Sequence, residues 1–288
     1  MIGVVNFLKP PGMSSNGAVV FLRGVLGAKT GHAGTLDPGA CGVLPICVGK
    51  ATKISSYLMS GRKEYVAEIA FGKRTDTGDS YGEVIEASEA PLPEAASVKE
   101  SLQAFLGNTT QRTPMYSAAK HNGRKLYQLA RKGIEVEAKM RDIVIHEIEY
   151  LRQTRGEAHL IRVVCGKGTY IRTLCEDIGK SLGTAAYMSF LSRTKCAGLR
   201  VDDAITADEI KALGENKQNA LQPIAPFLSG LPRIDAPAKD RRRLFNGNEV
   251  ESPAEDIETA AVFVNGELLG IGRAYGGTLK MTTLLVDE

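Results

Sequence analysis

Between Met1 and Lys63 the chain carries seven Lys or Arg residues and a single acidic one, Asp37. Cations on every side are expected to hold that carboxylate ionised, which suits a nucleophile or a stabiliser of developing positive charge better than a general acid. Asp37 lies in Thr30-Gly31-His32-Ala33-Gly34-Thr35-Leu36-Asp37-Pro38-Gly39, too rich in glycine for a helix and without the alternation of a strand. A loop Asp also serves as a turn residue or a helix cap. Charge isolation, rather than position, favours chemistry.

Arg172, in Gly166-Lys167-Gly168-Thr169-Tyr170-Ile171-Arg172, falls in the first turn of an expected helix. A cation there opposes the helix dipole and needs a compensating partner. Asp37 would serve, and so would Glu176 four residues on. Tyr65 opens an alternating strand, where it either packs in the core or offers the aromatic face a flipped base requires. His32 reads as an RNA contact or as a solvated loop residue. Six cations, Arg112, Lys120, Arg124, Lys125, Arg131 and Lys132, lie between Gln111 and Gly133 with no acid among them and with Tyr116 and Tyr127 interleaved. A solvated helix face normally mixes signs, so this segment points to RNA backbone and unpaired bases.

Other chemistries lack their residues. Gly42 to Lys50 resembles a phosphate loop, but six residues separate its glycines and Ala51 stands where Ser or Thr must hold magnesium. The chain has no H-x-E with a downstream C-x-x-C, no G-x-S-x-G elbow and no G-x-G-x-x-G after the first strand. No metal and no cofactor is expected.

The elements that must position these residues follow from periodicity. A strand runs to Leu8, and a helix capped near Ser14 or Ser15 ends around Gly27. Val43 to Val48 is a buried apolar segment, and Lys50 to Ser60 a helix. Tyr65 to Phe71 alternates as a strand with Tyr65, Ala67, Ile69 and Phe71 on one face. Further strands are expected at 84–87, 143–151, 158–165 and 186–191, with a helix from Tyr170 to Leu182 and a capping box at Thr206-Ala207-Asp208-Glu209. Irregularly interspersed helices favour a mixed, largely antiparallel α+β sheet over a βαβ repeat. The proline-rich stretch from Pro223 to Pro232 marks a boundary. Beyond it, Lys239 to Phe245 reads as a helix and Asn265-Gly266 as the turn of a hairpin in a small β-rich tail.

At 288 residues, 43% hydrophobic and 24% charged, the chain has the length for a full core plus a second domain. No apolar run approaches the roughly 20 residues that span a bilayer, and no leader precedes the first strand, so no membrane partner and a cytoplasmic location are expected. Five cysteines without a C-x-x-C pair read as buried reduced thiols. The net charge of +3 is small, but its acids gather late, so the basic field belongs to the first two thirds and a polyanion is the natural partner.

Lys9-Pro10-Pro11-Gly12-Met13-Ser14-Ser15, Gly31 to Pro38 running on to Gly42-Val43-Leu44-Pro45, Arg74-Thr75-Asp76-Thr77, Pro114-Met115-Tyr116-Ser117-Ala118 and Lys167 to Arg172 closely resemble the bacterial tRNA pseudouridine synthase B family. Five motifs in the family's order cover most of residues 1–200. The resemblance implies isomerisation of uridine 55 in the T loop of tRNA, on a flipped-out base, with Asp37 as catalytic carboxylate and Arg172 as its ionic partner. It further implies that Tyr65 stacks on the base, that Tyr170 and Leu191 support the site, that Lys9 and Pro10 line it, and that His32 contacts the T loop. Residues 1–228 would form the catalytic domain, with a thumb-like insertion at about 111–141 that closes on the T arm. Residues 232–288 would form a PUA-like RNA-binding domain, in a protein expected to be monomeric. Tyr187 stands where the family commonly has His, and Ser192 where an Arg is usual before Arg193, which leaves an RNA contact near that strand open. Two rivals remain, a guide-RNA-dependent synthase and a non-catalytic tRNA chaperone.

Overall fold

The computed structural model of the chain describes residues 1–134, 136, 139–154 and 158–287. In chain order it begins with β1 (Gly3–Lys9), α1 (Ser15–Leu26), β2 (Thr30–His32), β3 (Cys41–Val48), α2 (Ser55–Ser60) and β4 (Lys63–Phe71). Next come β5 (Lys73–Thr75), β6 (Val84–Ala87), α3 (Ala95–Ser101), β7 (Gly107–Arg112), β8 (Lys120–His121), β9 (Arg124–Lys125) and α4 (Leu126–Ala130). These are followed by β10 (Met140–Gln153), β11 (His159–Cys165), α5 (Ile171–Ser181), β12 (Ala186–Cys196), β13 (Leu199–Arg200), α6 (Ala207–Ala212) and β14 (Leu221–Gln222). The tail holds β15 (Arg233–Ala236), α7 (Arg241–Phe245), β16 (Val250–Glu251), β17 (Ile257–Val264), β18 (Glu267–Tyr275) and β19 (Thr278–Leu284).

The main sheet runs β14-β1-β3-β12-β4-β11-β10-β7, with β2 on β3 and β13 on β12. All its pairings are antiparallel except the short β3–β12 contact, Cys41 with Ser192 and Gly42 with Arg193. The expected mixed, mainly antiparallel α+β sheet is therefore the one found. β1 and β3 are apolar almost throughout because both of their faces are covered. Val5, Phe7, Leu44, Ile46 and Val48 pack with Leu22 and Leu26 of α1 and Leu174 and Ile178 of α5. Val4, Val43 and Cys47 pack on the other side with Ile54, Leu58, Leu228, Ala261, Ile271 and Leu285. The tail thus closes the second face.

Local signals explain the element ends. The Ser14 hydroxyl accepts the Gly17 N–H at 2.9 Å, and Gly27 ends α1 in the left-handed region at φ 64°. Asn265 and Gly266 both have positive φ, 53° and 79°, as a two-residue type I′ turn demands. Thr206 and Glu209 form their capping box. Several expectations need correction. The Thr30–Gly39 loop contains a three-residue strand, β2, because Thr30 to His32 can pair with Val48 to Ile46. Lys50 to Ser60 begins as a 3-10 segment, Gly49–Ile54, and turns α-helical only from Ser55. The strand expected to end at Leu191 continues to Cys196, and the helix expected from Lys239 is a 3-10 turn followed by α7. Four of the five cysteines are buried thiols and Cys41 is half-buried; burial pushes the Cys47 thiol up to about 12. No helix among the described residues is long and apolar enough to cross a membrane.

Gly42 sits at φ 106°, and a Cβ there would overlap the Arg193 carbonyl oxygen and stand 2.8 Å from the Arg193 nitrogen. Only glycine allows β3 to meet β12 at this point. Gly42→Ala is expected to lower the unfolding free energy by about 3 kcal/mol, through backbone strain plus overlap in a packed interior; urea melts of the two proteins measure it.

Candidate active site

The loop between β2 and β3 is held by backbone groups bonded to buried side chains. Ser15 Oγ donates to the Leu36 carbonyl and accepts the Leu36 N–H, both at 2.8 Å. Lys9 is 0% exposed, and its ammonium donates to the carbonyls of Pro10, Met13 and Pro38 at 2.9, 2.7 and 3.2 Å. Burial lowers its pKa to about 8, against the pull of nearby Cys41 and Asp37. Arg193 is 1% exposed. Its Nε donates to the Val43 carbonyl at 2.7 Å, Nη2 to that of Gly34 at 3.1 Å and Nη1 to that of Thr35 at 3.5 Å. Two buried cations, neither with a carboxylate in an ion pair among the described residues, therefore fix the chain on either side of Asp37.

Asp37 is one third exposed and faces a third cation. Arg172, 5% exposed, places Nε 2.9 Å from Oδ2 and Nη2 3.3 Å from Oδ1. The same guanidinium donates to the carbonyls of Thr77 at 2.7 Å and Tyr116 at 2.8 Å. Asp37, not Glu176, is thus the partner that the start of α5 required. Burial moves the Asp37 carboxyl above its ordinary value, outweighing the downward pulls of Arg172 and Lys9, while Asp79 adds to the upward shift. The sequence displays the cations around Asp37 but not the burial that opposes them.

Asp37 opens onto a cleft of about 760 Å³. Tyr65, Tyr170, Arg172, Leu191 and Arg193 share its lining, with Lys63, Arg141 and Lys167 adding positive charge. Tyr65 is buried, and burial holds its phenol up at about 12 with Arg193 nearby pulling the other way; it is a neutral hydrogen-bonding ring, not a phenolate. Tyr170 caps α5 and carries the Arg141 guanidinium 5.6 Å from its ring centroid. Lys9 and Pro10, expected to line the site, do not front the cleft; Lys9 braces the loop from behind and Pro10 is exposed. His32 also lies outside the lining. Burial, with Arg193 and Lys125 nearby, lowers its pKa and keeps it neutral.

Arg112, Lys120, Arg124, Lys125, Arg131 and Lys132 are all exposed, on the end of β7, the β8–β9 ribbon and α4 with its following turn. Tyr127 lies between Lys125 and Arg131, 5.7 and 5.6 Å from its ring centroid. Of the stretch 111–141, residues 135, 137 and 138 lie outside the described residues. Arg193 has no expected role, because the expected strand ends at Leu191, two residues before it; the longer β12 turns it inward. Tyr116, expected as an RNA contact, holds Arg172 through its carbonyl and donates its hydroxyl to Asp76 at 3.2 Å.

A mainly antiparallel sheet thus carries a carboxylate–guanidinium pair on an aromatic-walled, cation-rimmed cleft. Residues 23–171 match the TruB family pseudouridylate synthase N-terminal domain, and residues 172–229 the tRNA pseudouridylate synthase B C-terminal domain. Similar proteins include the tRNA pseudouridine synthase B of Alkaliphilus oremlandii, 44% identical over 94% of this chain and 93% of that one. That of Azoarcus sp. is 37% identical over 99% and 95%. Among solved structures, a Cbf5-Nop10-Gar1 complex matches at a TM-score of 0.71 and 27% identity, over 99% of this chain and 84% of that one. The chain belongs to the TruB family of pseudouridine synthases, enzymes that isomerise uridine to pseudouridine.

A reaction that needs the Asp37 carboxylate loses rate on acidification as the proton is taken up. Because the carboxyl lies above its ordinary value, the acid limb of kcat/KM is expected at higher pH than an unperturbed Asp would give. Arg172 pulls downward, so Arg172→Met should move the limb further up as well as lowering the plateau; a pH profile of single-turnover isomerisation in each protein measures both.

Proposed function

We propose that the chain isomerises uridine 55 in the T loop of tRNA, with Asp37 as the catalytic carboxylate. The observation that carries this reading is the two-point pairing of Arg172 with Asp37 at the wall of a cleft whose other walls are aromatic and apolar. The names of the similar bacterial proteins support tRNA as the substrate. The exposed basic segment from Arg112 to Lys132, with His32 beside Lys125, offers phosphate contacts for the T arm. In this reading residues 1–228 are the catalytic domain, 111–141 its thumb and 232–288 a PUA-like RNA-binding domain, working in the cytoplasm.

The chemistry breaks N1–C1′, turns the uracil and joins C5 to C1′; the C5 proton leaves to solvent and N1 gains one, so no redox partner or energy source is consumed. The target base must first leave the stack, at a cost of a few kcal/mol that is smaller in a loop. Tyr65 and Leu191 then offer it a ring face and an apolar edge. The Asp37 carboxylate, aimed by Arg172, attacks C1′, shields an oxocarbenium-like centre or removes a sugar proton. The basic segment favours a stand-alone enzyme over a guided one, since a guided enzyme leaves target choice to base pairing.

With unmodified tRNA transcript labelled as [5-³H]uridine, the native protein is expected to release tritium without any guide RNA. Asp37→Asn should release none while binding the transcript as tightly in a filter assay, and a transcript with cytidine at position 55 should release none with either protein. Binding without release by the native protein would instead identify a chaperone or a guided enzyme.

A further inference from the structure

Gly39 does not have the positive φ that would by itself call for glycine. Its missing side chain makes room for Tyr81: a Cβ at Gly39 would overlap Cε2 of that ring and stand 2.8 Å from Cδ2 and Cζ. Tyr81 is nevertheless 71% exposed, so one edge of the ring is seated on the Asp37 loop while most of it faces solvent.

The loop that carries Tyr81 is tightly tied. Asp79 Oδ1 accepts the Tyr81 N–H at 3.0 Å and the Thr77 hydroxyl at 2.7 Å, and Asp76 Oδ1 accepts the Glu83 N–H at 2.9 Å. The Gly78 carbonyl accepts the Met188 N–H at 3.0 Å, which ties the loop to β12. Its Thr77 carbonyl is the one that holds Arg172. Tyr81 does not line the cleft that Asp37 opens onto; it rests on Gly39, two residues beyond Asp37 in the same loop.

A large ring held in water beside a nucleotide-sized cleft is an unfilled stacking face. When a uridine leaves its stack, its neighbours lose a π-partner, and an exposed aromatic side chain seated on the loop that carries Asp37 supplies another whatever the base. We infer that Tyr81 is the stacking platform for a nucleobase flanking the target uridine, and so a positioning residue outside the catalytic cleft. The inference rests on the RNA-modifying reading of that cleft.

The chain contains no tryptophan, so Tyr81→Trp introduces a single fluorescent reporter. In an Asp37→Asn background its emission is expected to fall as unmodified tRNA transcript is added, with filter binding followed in parallel. With Asp37 intact, Tyr81→Ala should raise KM by roughly tenfold or more, the scale of one lost base stack, and keep kcat at saturation. Tyr81→Phe should recover most of that loss. Abasic nucleotides placed singly on either side of the target identify the partner as the position whose removal no longer costs affinity in Tyr81→Ala. Unchanged tryptophan emission on RNA that filter binding shows to be bound, or a Tyr81→Ala defect confined to kcat, would overturn the inference and leave the ring a mere support for the Arg172 loop. Tritium release by the native protein reports separately on the parent reading, so the two can fail independently.

Discussion

The site depends on the need of one buried guanidinium to satisfy its donors. Arg172 is almost fully enclosed in the first turn of α5, where the helix dipole opposes its charge. A buried cation left unpaired costs several kcal/mol, and removing one partner of such a pair is strongly destabilising. The donors of Arg172 therefore draw in what they can reach: both Asp37 oxygens, the carbonyl of Thr77 and the carbonyl of Tyr116. Three segments distant in sequence, the Asp37 loop, the loop after β5 and the stretch after β7, converge because one side chain needs all of them. The same geometry that solves a folding problem aims the carboxylate.

Aim requires that the backbone beneath Asp37 cannot move. Lys9 and Arg193 supply this by spending their charge on backbone carbonyls rather than on carboxylates. A carbonyl is a weaker partner than a carboxylate, and the Lys9 charge is felt at Asp37, where it pulls the carboxyl downward. Asp37 thus meets more cation than anion nearby and still titrates above its ordinary value, since burial penalises its charged form more than the cations favour it. A carboxylate in that balance is held in one orientation by the Arg172 fork, and a preoriented charge interacts more strongly with its target than a freely rotating one.

What the residues disclosed beforehand depended on whether a signal was local. The charge isolation of Asp37 is a count along the chain, and the dipole conflict at Arg172 follows from one predicted helix; together they implied the pair the structure forms. Tyr65, Ala67 and Ile69 alternated visibly, and Asn265-Gly266 needs only two positive φ angles. Burial is not local, and with it went the direction of the Asp37 pKa and the role of Lys9, which supports the loop from behind where a wall of the cleft had been expected. Arg193 escapes because a strand bounded by apolar residues ends at Leu191, although the pleat continues through the polar residues Ser192 to Lys195. The parallel contact of β3 with β12, on which Gly42 depends, joins residues 151 positions apart and leaves only an unexplained glycine in the sequence.

The tail bears on the site through the sheet rather than through the cleft. β1 and β3 are covered on one face by α1 and α5 and on the other by a cluster that includes Ala261, Ile271 and Leu285. Lys50 donates to the Val286 carbonyl and pairs with Asp287 at 3.0 Å, which pins the end of the chain beside the segment following β3. Burying a second face of these strands contributes roughly 25 cal/mol per Å² of apolar surface. It also stiffens the two strands whose ends enter the site: β1 terminates in Lys9, and β3 begins beside Gly42. A tail evolved for RNA contact and a tail evolved for support would both dock in this way, but only docking on β1 and β3 explains why those strands are apolar on both faces. The rigidity of the Asp37 loop is in that sense a property of the whole chain, carried to the carboxylate by strands that have no solvent face along which to relax.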